Sequence, residues 1–155
     1  VEETMLRKLI VAALASVLIA GGALAQAKFG TADEAKAMLE KAVAAIKADK
    51  AKALDMFLKG EGGFKDRDLY PFCFNISDGK ILVTQAQTFI GMDVKTITDE
   101  SGKAFGEEMY KTARQEGKII EVSYMFPRAG ETEPVQKISY VTRVGDVACG
   151  VGYYK

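Results

Sequence analysis

The chain has no histidine and no tryptophan, and only two cysteines and three prolines among its 155 residues. Without histidine it lacks the side chain that most often acts as a general base near neutral pH and most often ligates transition metals. Two cysteines, Cys73 and Cys149, are too few for a cysteine-rich metal site. In an exported protein an even pair of this kind points to a disulfide; otherwise the two pack as small buried apolar residues. The charges balance, with 21 Lys plus Arg against 21 Asp plus Glu. Such a chain has no basic excess to offer nucleic acid or an anionic membrane. Also missing are the GxSxG, HExxH and CxxC motifs, a phosphate-cradling loop ending in Gly-Lys-Ser/Thr, and a calcium-binding EF-hand loop. Gly60-Glu61-Gly62-Gly63 reads as a linker, because no strand leads into it. The carboxylate pairs Glu107-Glu108 and Asp66/Asp68 read as solvated surface charge. No enzyme chemistry, cofactor or metal is expected.

One long apolar run is present, near the N-terminus. Arg7 and Lys8 precede apolar residues 9–20, and Ala23-Leu24-Ala25 follows as a small-x-small site. That order is the mark of a secretory signal peptide, cleaved before Gln26, or before Lys28 if Ala25-Gln26-Ala27 is the site. The run is short and alanine-rich for a membrane span, which needs about 20 apolar residues; a retained anchor is the alternative. The expectation is a periplasmic or secreted protein with no stable membrane insertion after cleavage. Residues 1–25 are therefore set apart as upstream sequence and leader. Residues 26–155 form one domain, with a helical part over 26–68 and a sheet with an inserted helix over 69–155.

Thr31 and Glu34 have the spacing of a capping box. Behind them Ala35, Met38, Leu39, Ala42, Val43 and Ile46 fall on one helical stripe, with Lys36, Lys41 and Lys47 off it. Asp49 is placed to cap a second segment carrying Ala53, Leu54, Phe57 and Leu58, so this part is one long helix or two in series. The period then changes. Residues 69–76 and 81–86 read as strands joined at Asp78-Gly79 by a type I′ turn. A helix is expected over 104–116, with Phe105, Met109 and Ala113 as its apolar positions. Strands follow over 119–126, 135–144 and 147–153. Tyr70, Phe72, Phe74 and Ile76 share one strand face, yet Leu69, Pro71 and Cys73 on the other are not polar either. A sheet wetted on one side alternates, so this one is expected to be covered on both faces. Partly closed covers of this sort leave small pockets.

One constellation carries chemistry. Antiparallel pairing of neighbouring strands brings Tyr124 and Phe126 near Lys137 and Tyr140. A lysine in mid-strand among apolar residues is costly without a partner. Either Lys137 meets a ligand anion with tyrosine hydroxyls beside it, or it snorkels to solvent or pairs with a nearby glutamate.

The order of these pieces resembles the single Cache domain family, the extracytoplasmic relatives of the PAS fold. The matching stretches are Asp68-Leu69-Tyr70-Pro71-Phe72, Ser77-Asp78-Gly79-Lys80-Ile81-Leu82, Phe89-Ile90-Gly91-Met92-Asp93, Asp99-Glu100-Ser101-Gly102-Lys103-Ala104-Phe105, residues 117–127 and 134–141, and Cys149-Gly150-Val151-Gly152-Tyr153. Thr84-Gln85 stands where the family often has His-Pro, and no tryptophan occupies the aromatic positions. The resemblance implies an α+β fold: about five antiparallel strands, a long N-terminal helix on one face and a helix-and-loop cover on the other. It implies a sensory module that binds a small molecule, commonly a small organic carboxylate such as acetate, propionate or pyruvate. The pocket would lie between the sheet and a cover over 89–116, lined by Tyr110, Tyr124, Phe126, Lys137 and Tyr140 and closed by Met109. In such a sheet the first and last strands are neighbours, which would set Cys73 opposite Cys149. With no signalling segment after the last strand, the expectation is a free-standing exported protein. A homodimer through the N-terminal helix is a further expectation. Two other readings stay open: a small enzyme on a nuclear-transport-factor-like cone, marked by a buried acid in a deep pocket, and a dimerising structural protein without a ligand.

Overall fold

The computed structural model describes residues 27–155; the expected leader lies outside the described residues. Helix α1 (Ala32–Ala48) opens with the capping box. The Thr31 hydroxyl accepts the Glu34 N–H, and the Glu34 carboxylate accepts the Thr31 N–H at 2.8 Å. Helix α2 (Lys50–Lys59) starts at once, because Asp49 is extended and its carboxylate accepts the Lys52 N–H at 3.0 Å. The helical part is thus two helices in series rather than one. Ala35, Met38, Leu39, Ala42 and Ile46 face inward, while Lys36, Lys41 and Lys47 stay exposed. Leu54 is only half-buried, since α2 turns Ala53 and Phe57 to the core instead.

Strands β1 (Pro71–Asn75), β2 (Ile81–Val83), β3 (Ile120–Pro127), β4 (Pro134–Val144) and β5 (Val147–Tyr154) form one antiparallel sheet, in the order β2-β1-β5-β4-β3. The connection from β1 to β2 differs from the type I′ turn expected. Gly79 has positive φ but Asp78 does not, and the loop closes through the Gly79 N–H on the Asn75 carbonyl. Strand β2 is three residues long, not six. Gln85 leaves the ladder to donate to the carbonyls of Phe57 and Leu58, at 3.0 and 3.1 Å, where α2 ends. Between β2 and β3 run two 3-10 turns, Gln87–Phe89 and Val94–Thr96, and helix α3 (Phe105–Thr112), which stops short of residue 116.

Each face of the sheet is covered. Against one face α1 packs Leu39 and Ala42 onto Leu69, Val83 and Val151. On the same face Cys73 lies opposite Cys149 in the β1/β5 register, and the two are joined in a disulfide. Against the other face the connection between β2 and β3 packs Val94, Ile97, Phe105 and Met109 onto Phe74, Val122 and Val141. Successive strand residues point to opposite faces. Odd positions of β4 and even positions of β5 therefore look toward this cover.

Candidate functional site

The second face is not filled completely. Between the sheet and its cover lies a cavity of about 60 Å³. The cover contributes Thr84, Phe89, Val94, Ile97, Phe105 and Met109. The sheet side contributes Tyr70, Phe72, Tyr124, Phe126 and Lys137. At about 10–15 Å³ for each water, the space suits a molecule of roughly four to six heavy atoms. Its walls are mostly hydrocarbon and aromatic ring, with a few polar groups, the usual make-up of a small-molecule site.

Lys137 is the charged group of this site and is only 3 % exposed. It sits mid-strand in β4, opposite Tyr124 on β3 and Tyr154 on β5. Its stem crosses Gly152: a Cβ there would lie 2.5 Å from Lys137 Cε and 2.6 Å from Ser139 Oγ, so a side chain at this position would displace the lysine or the serine. The ammonium donates to the Tyr70 hydroxyl at 3.3 Å. Around it stand the rings of Tyr154, Tyr70 and Phe126, with centroids 4.7, 4.8 and 5.2 Å away. Such cation–π contacts stabilise a desolvated cation by about 0.5–2 kcal/mol. Burial still dominates and pulls the ammonium down to about 8, against the opposing pull of the Asp68 charge. The lysine thus remains mostly charged at neutral pH.

The hydroxyls keep their protons. Burial, with the Asp68 charge second, pushes Tyr70 up to about 12. Burial also raises Tyr124 and Tyr154 well above the ordinary phenol range. Tyr124 shares a 2.9 Å hydrogen bond with the buried Ser139 hydroxyl, and its ring lies flat on Phe105, centroids 4.0 Å apart. Tyr154 donates to the Pro127 carbonyl at 2.7 Å. The cover is tied down at Asp99. Its Oδ2 accepts the Met125 N–H at 3.0 Å, and its Oδ1 accepts Ser101 Oγ at 2.6 Å and the N–H groups of Ser101 and Lys103 at 2.9 Å. The hydrogen bond from Met125, then that from the Ser101 hydroxyl, hold this carboxyl down to about 2.

Lys137, Tyr124, Phe126 and Met109 come together at the cavity. Tyr110 and Tyr140 do not, which corrects the set expected from sequence. Tyr140 is three residues from Lys137, and on a strand an odd separation means the opposite face. It stacks on Tyr153, centroids 5.8 Å apart, in the cluster beneath α1. Tyr110 lies one residue past Met109, about 100° around α3. Its hydroxyl donates to the Ile76 carbonyl at 2.8 Å, and its ring is flanked by Lys95 and Arg114.

Sequence reasoning missed Tyr70 and Phe72 as lining residues, although their shared strand face was the signal that could have found them. It also missed Asp68, read as solvated. Asp68 Oδ1 accepts the Gly30 N–H at 2.7 Å, and Oδ2, shielded from solvent, has no hydrogen-bond partner among the described residues. Among the described residues no cluster of acidic, histidine or cysteine side chains could hold a metal ion, and no helix is long and apolar enough to cross a membrane.

Comparison with known proteins gives one family and several solved structures. The sequence model of the family described as "Single Cache domain 2" matches residues 2–154. No curated protein matches the chain by sequence. Among solved structures, the periplasmic sensor domain of a chemotaxis protein is 24% identical, with a TM-score of 0.59 over 79% of this chain and 88% of that one. A methyl-accepting chemotaxis protein from Vibrio parahaemolyticus is 20% identical, with a TM-score of 0.63 over 79% of this chain and 86% of that one. A Cache chemosensory domain, described in terms of carboxylic acid recognition, is 24% identical, with a TM-score of 0.58 over 79% and 86%.

Proposed function

As the chain belongs to the single Cache domain family of sensory, ligand-binding domains, we propose that its cavity binds a small organic carboxylate on the extracytoplasmic side of the membrane and releases it unchanged. The observation that carries this reading is Lys137: a buried ammonium at an apolar cavity, with a hydrogen bond to Tyr70 and, among the described residues, no direct ion pair. An ammonium has three donors. A ligand carboxylate would take the remaining ones and supply the charge that burial makes favourable. The Tyr70 hydroxyl adds direction, and the rings of Phe89, Phe105 and Phe126 accept a tail of one or two carbons. The cavity volume sets the same limit on size. The solved Cache domain described as recognising carboxylic acids supports the same ligand class. The cone-shaped alternative falls with the family and the sheet order.

The test is thermal unfolding with acetate, propionate and pyruvate against the uncharged amides of the same shapes. A ligand at a hundred times its dissociation constant stabilises by about 2.7 kcal/mol, a rise of roughly ten degrees for a domain of this size. The acids should raise the melting temperature and the amides should not. Lys137→Met should abolish the rise. If no acid stabilises the protein, or if acid and amide act alike, the carboxylate reading is wrong.

A further inference from the structure

We propose that Lys137 holds a carbonyl ligand covalently: its amine condenses with the C2 carbonyl of a small 2-oxo acid to give a protonated imine and one water, and the reverse reaction frees the acid unchanged. The acid is brought there by the ion pairing proposed above, on which this inference rests, and the covalent bond is additional to it. Lys137 is 3 % exposed and lines the cavity, whereas every other lysine among the described residues is exposed. Its Nζ has no ion pair among the described residues. It is held instead by the rings of Tyr154, Tyr70 and Phe126 and by the Tyr70 hydroxyl at 3.3 Å. Among the described residues that hydroxyl has no acceptor for its own proton. A lysine nitrogen is nucleophilic only without its proton, and desolvation in an apolar pocket is one way to free it. Burial brings Lys137 down to about 8, so roughly a tenth of it is free amine at pH 7.

The lining selects the class of carbonyl. A carboxylate that meets the ammonium brings its own C2 to the same nitrogen, close to the separation of about 3–3.5 Å from which bonds form. The imine nitrogen then carries its positive charge beside that carboxylate, and the cavity encloses a paired cation. A simple aldehyde or ketone would leave the cation there without an anion, which is costly in an apolar site. The cover brings only Thr84, Ala86 and apolar side chains to the lining, and exclusion of water protects the imine from hydrolysis. Pyruvate, at six heavy atoms, is as large as a cavity of about 60 Å³ admits. The protons move through Tyr70. As the nitrogen lone pair attacks C2, the carbonyl electron pair passes to its oxygen. Tyr70, which burial keeps protonated by raising it to about 12, gives its proton to that oxygen and takes one from the nitrogen. The proton that the ammonium gave up to become an amine then returns to the new hydroxyl. That hydroxyl leaves as water while the nitrogen lone pair closes the C=N bond. From ammonium and ketone to protonated imine and water, neither charge nor oxidation state changes.

The test is trapping in the full chain. The protein is incubated at pH 7 with pyruvate and cyanoborohydride, and intact mass followed by peptide mapping locates the reduced adduct. One adduct per chain is expected, on Lys137, and none with propionate, which lacks the carbonyl. Without reductant, pyruvate labelled with 13C at C2 should show its resonance moved from the ketone to the imine region, and dilution should restore it. No adduct on Lys137, or label spread evenly over the exposed lysines, overturns the proposal. Tyr70→Phe keeps a ring beside the ammonium and should slow adduct formation about a hundredfold, the lower end of general acid–base catalysis; an unchanged rate overturns the relay. Failure of the bond and failure of the ion pair look different. If pyruvate and propionate stabilise the protein alike and neither is trapped, the ion pair stands and the bond is refuted. If pyruvate is trapped on Lys137 while acetate and propionate give no stabilisation, the bond stands and the simple acids are removed as ligands.

Discussion

The two faces of one sheet are built to different rules. The face under α1 is close-packed at its centre, where Leu39, Ala42, Phe57, Leu69, Cys73, Cys149 and Val151 are all buried in one cluster with the disulfide inside it, and its open space is a charged cleft at the rim, lined by Glu40, Lys47, Glu116 and Arg143. The face under the connection between β2 and β3 holds as many large side chains but leaves about 60 Å³ open, with a lysine beside the space. The difference begins in what each cover is made of. A 17-residue helix with a continuous apolar stripe can close-pack along a strand. Two 3-10 turns and a helix of eight residues cannot do so evenly, and aromatic rings bridge the gaps. The first face thus holds the disulfide and the densest packing, and the second holds the cavity to which we assign binding. A charge is tolerated only where the packing is already incomplete.

Four changes would break or sharpen that contrast. The largest effect is expected on the face under α1, from replacing Cys73 and Cys149 together by alanine. Opening a link across 76 residues of sequence should cost about 4 kcal/mol in the chain-entropy model, read as a lower midpoint in urea. A loss near zero would mean that the disulfide adds nothing to packing already sufficient without it.

Next, Leu39→Ala and Lys137→Met should act in opposite senses. Leu39 is fully buried under α1, and its truncation should cost about 2–5 kcal/mol at any pH. Lys137→Met keeps the stem and removes a buried charge, so at pH 7 the ligand-free variant should be no less stable than the parent. The sign follows from the titration. The native lysine is depressed to about 8 from an ordinary value of 10.5. Its destabilising effect is thus full below pH 8 and fades as pH rises to 10.5. Any advantage of Lys137→Met, roughly 3 kcal/mol at most, should disappear over that window. Chemical unfolding of both variants at pH 7 and pH 10 is the measurement, and a constant difference would show that Lys137 is not desolvated.

The smallest effect is expected from Asp99→Asn at the edge of the cover. The native carboxyl titrates near 2 rather than near 4. Its stabilisation is present above pH 4 and is lost as the pH falls through about 2. The variant should unfold a few degrees below the parent at pH 7 and together with it below pH 2. Amide exchange at Met125 should quicken, because the partner of its N–H becomes a neutral amide. Unchanged exchange there would mean that the cover is held by its apolar contacts alone.

Much of this architecture was legible in local pattern. The capping box at Thr31, the stripe from Ala35 to Ile46 and the shared face of Phe72 and Phe74 depend on residues a few positions apart, and each appears in the structure. The strand period also contained the answer for Tyr140, whose separation from Lys137 puts it on the other face. Resemblance of weak motifs in order supplied the rest of the fold, including the adjacency of β1 and β5 that brings the cysteines together.

What the sequence determined by itself was thus the set of elements and which side chains share a face, because backbone geometry imposes periods of 3.6 and 2 on any chain. Only the tertiary structure decided where an apolar cavity with a lysine beside it stays open, that Tyr70 reaches Lys137 across 67 residues of sequence, and that one carboxylate oxygen of the half-buried Asp68 is shielded from solvent. The physical reason is that burial and electrostatic reach are set by separation in space. Residues 70, 126, 137 and 154 become neighbours only when β1, β5, β4 and β3 line up in that order.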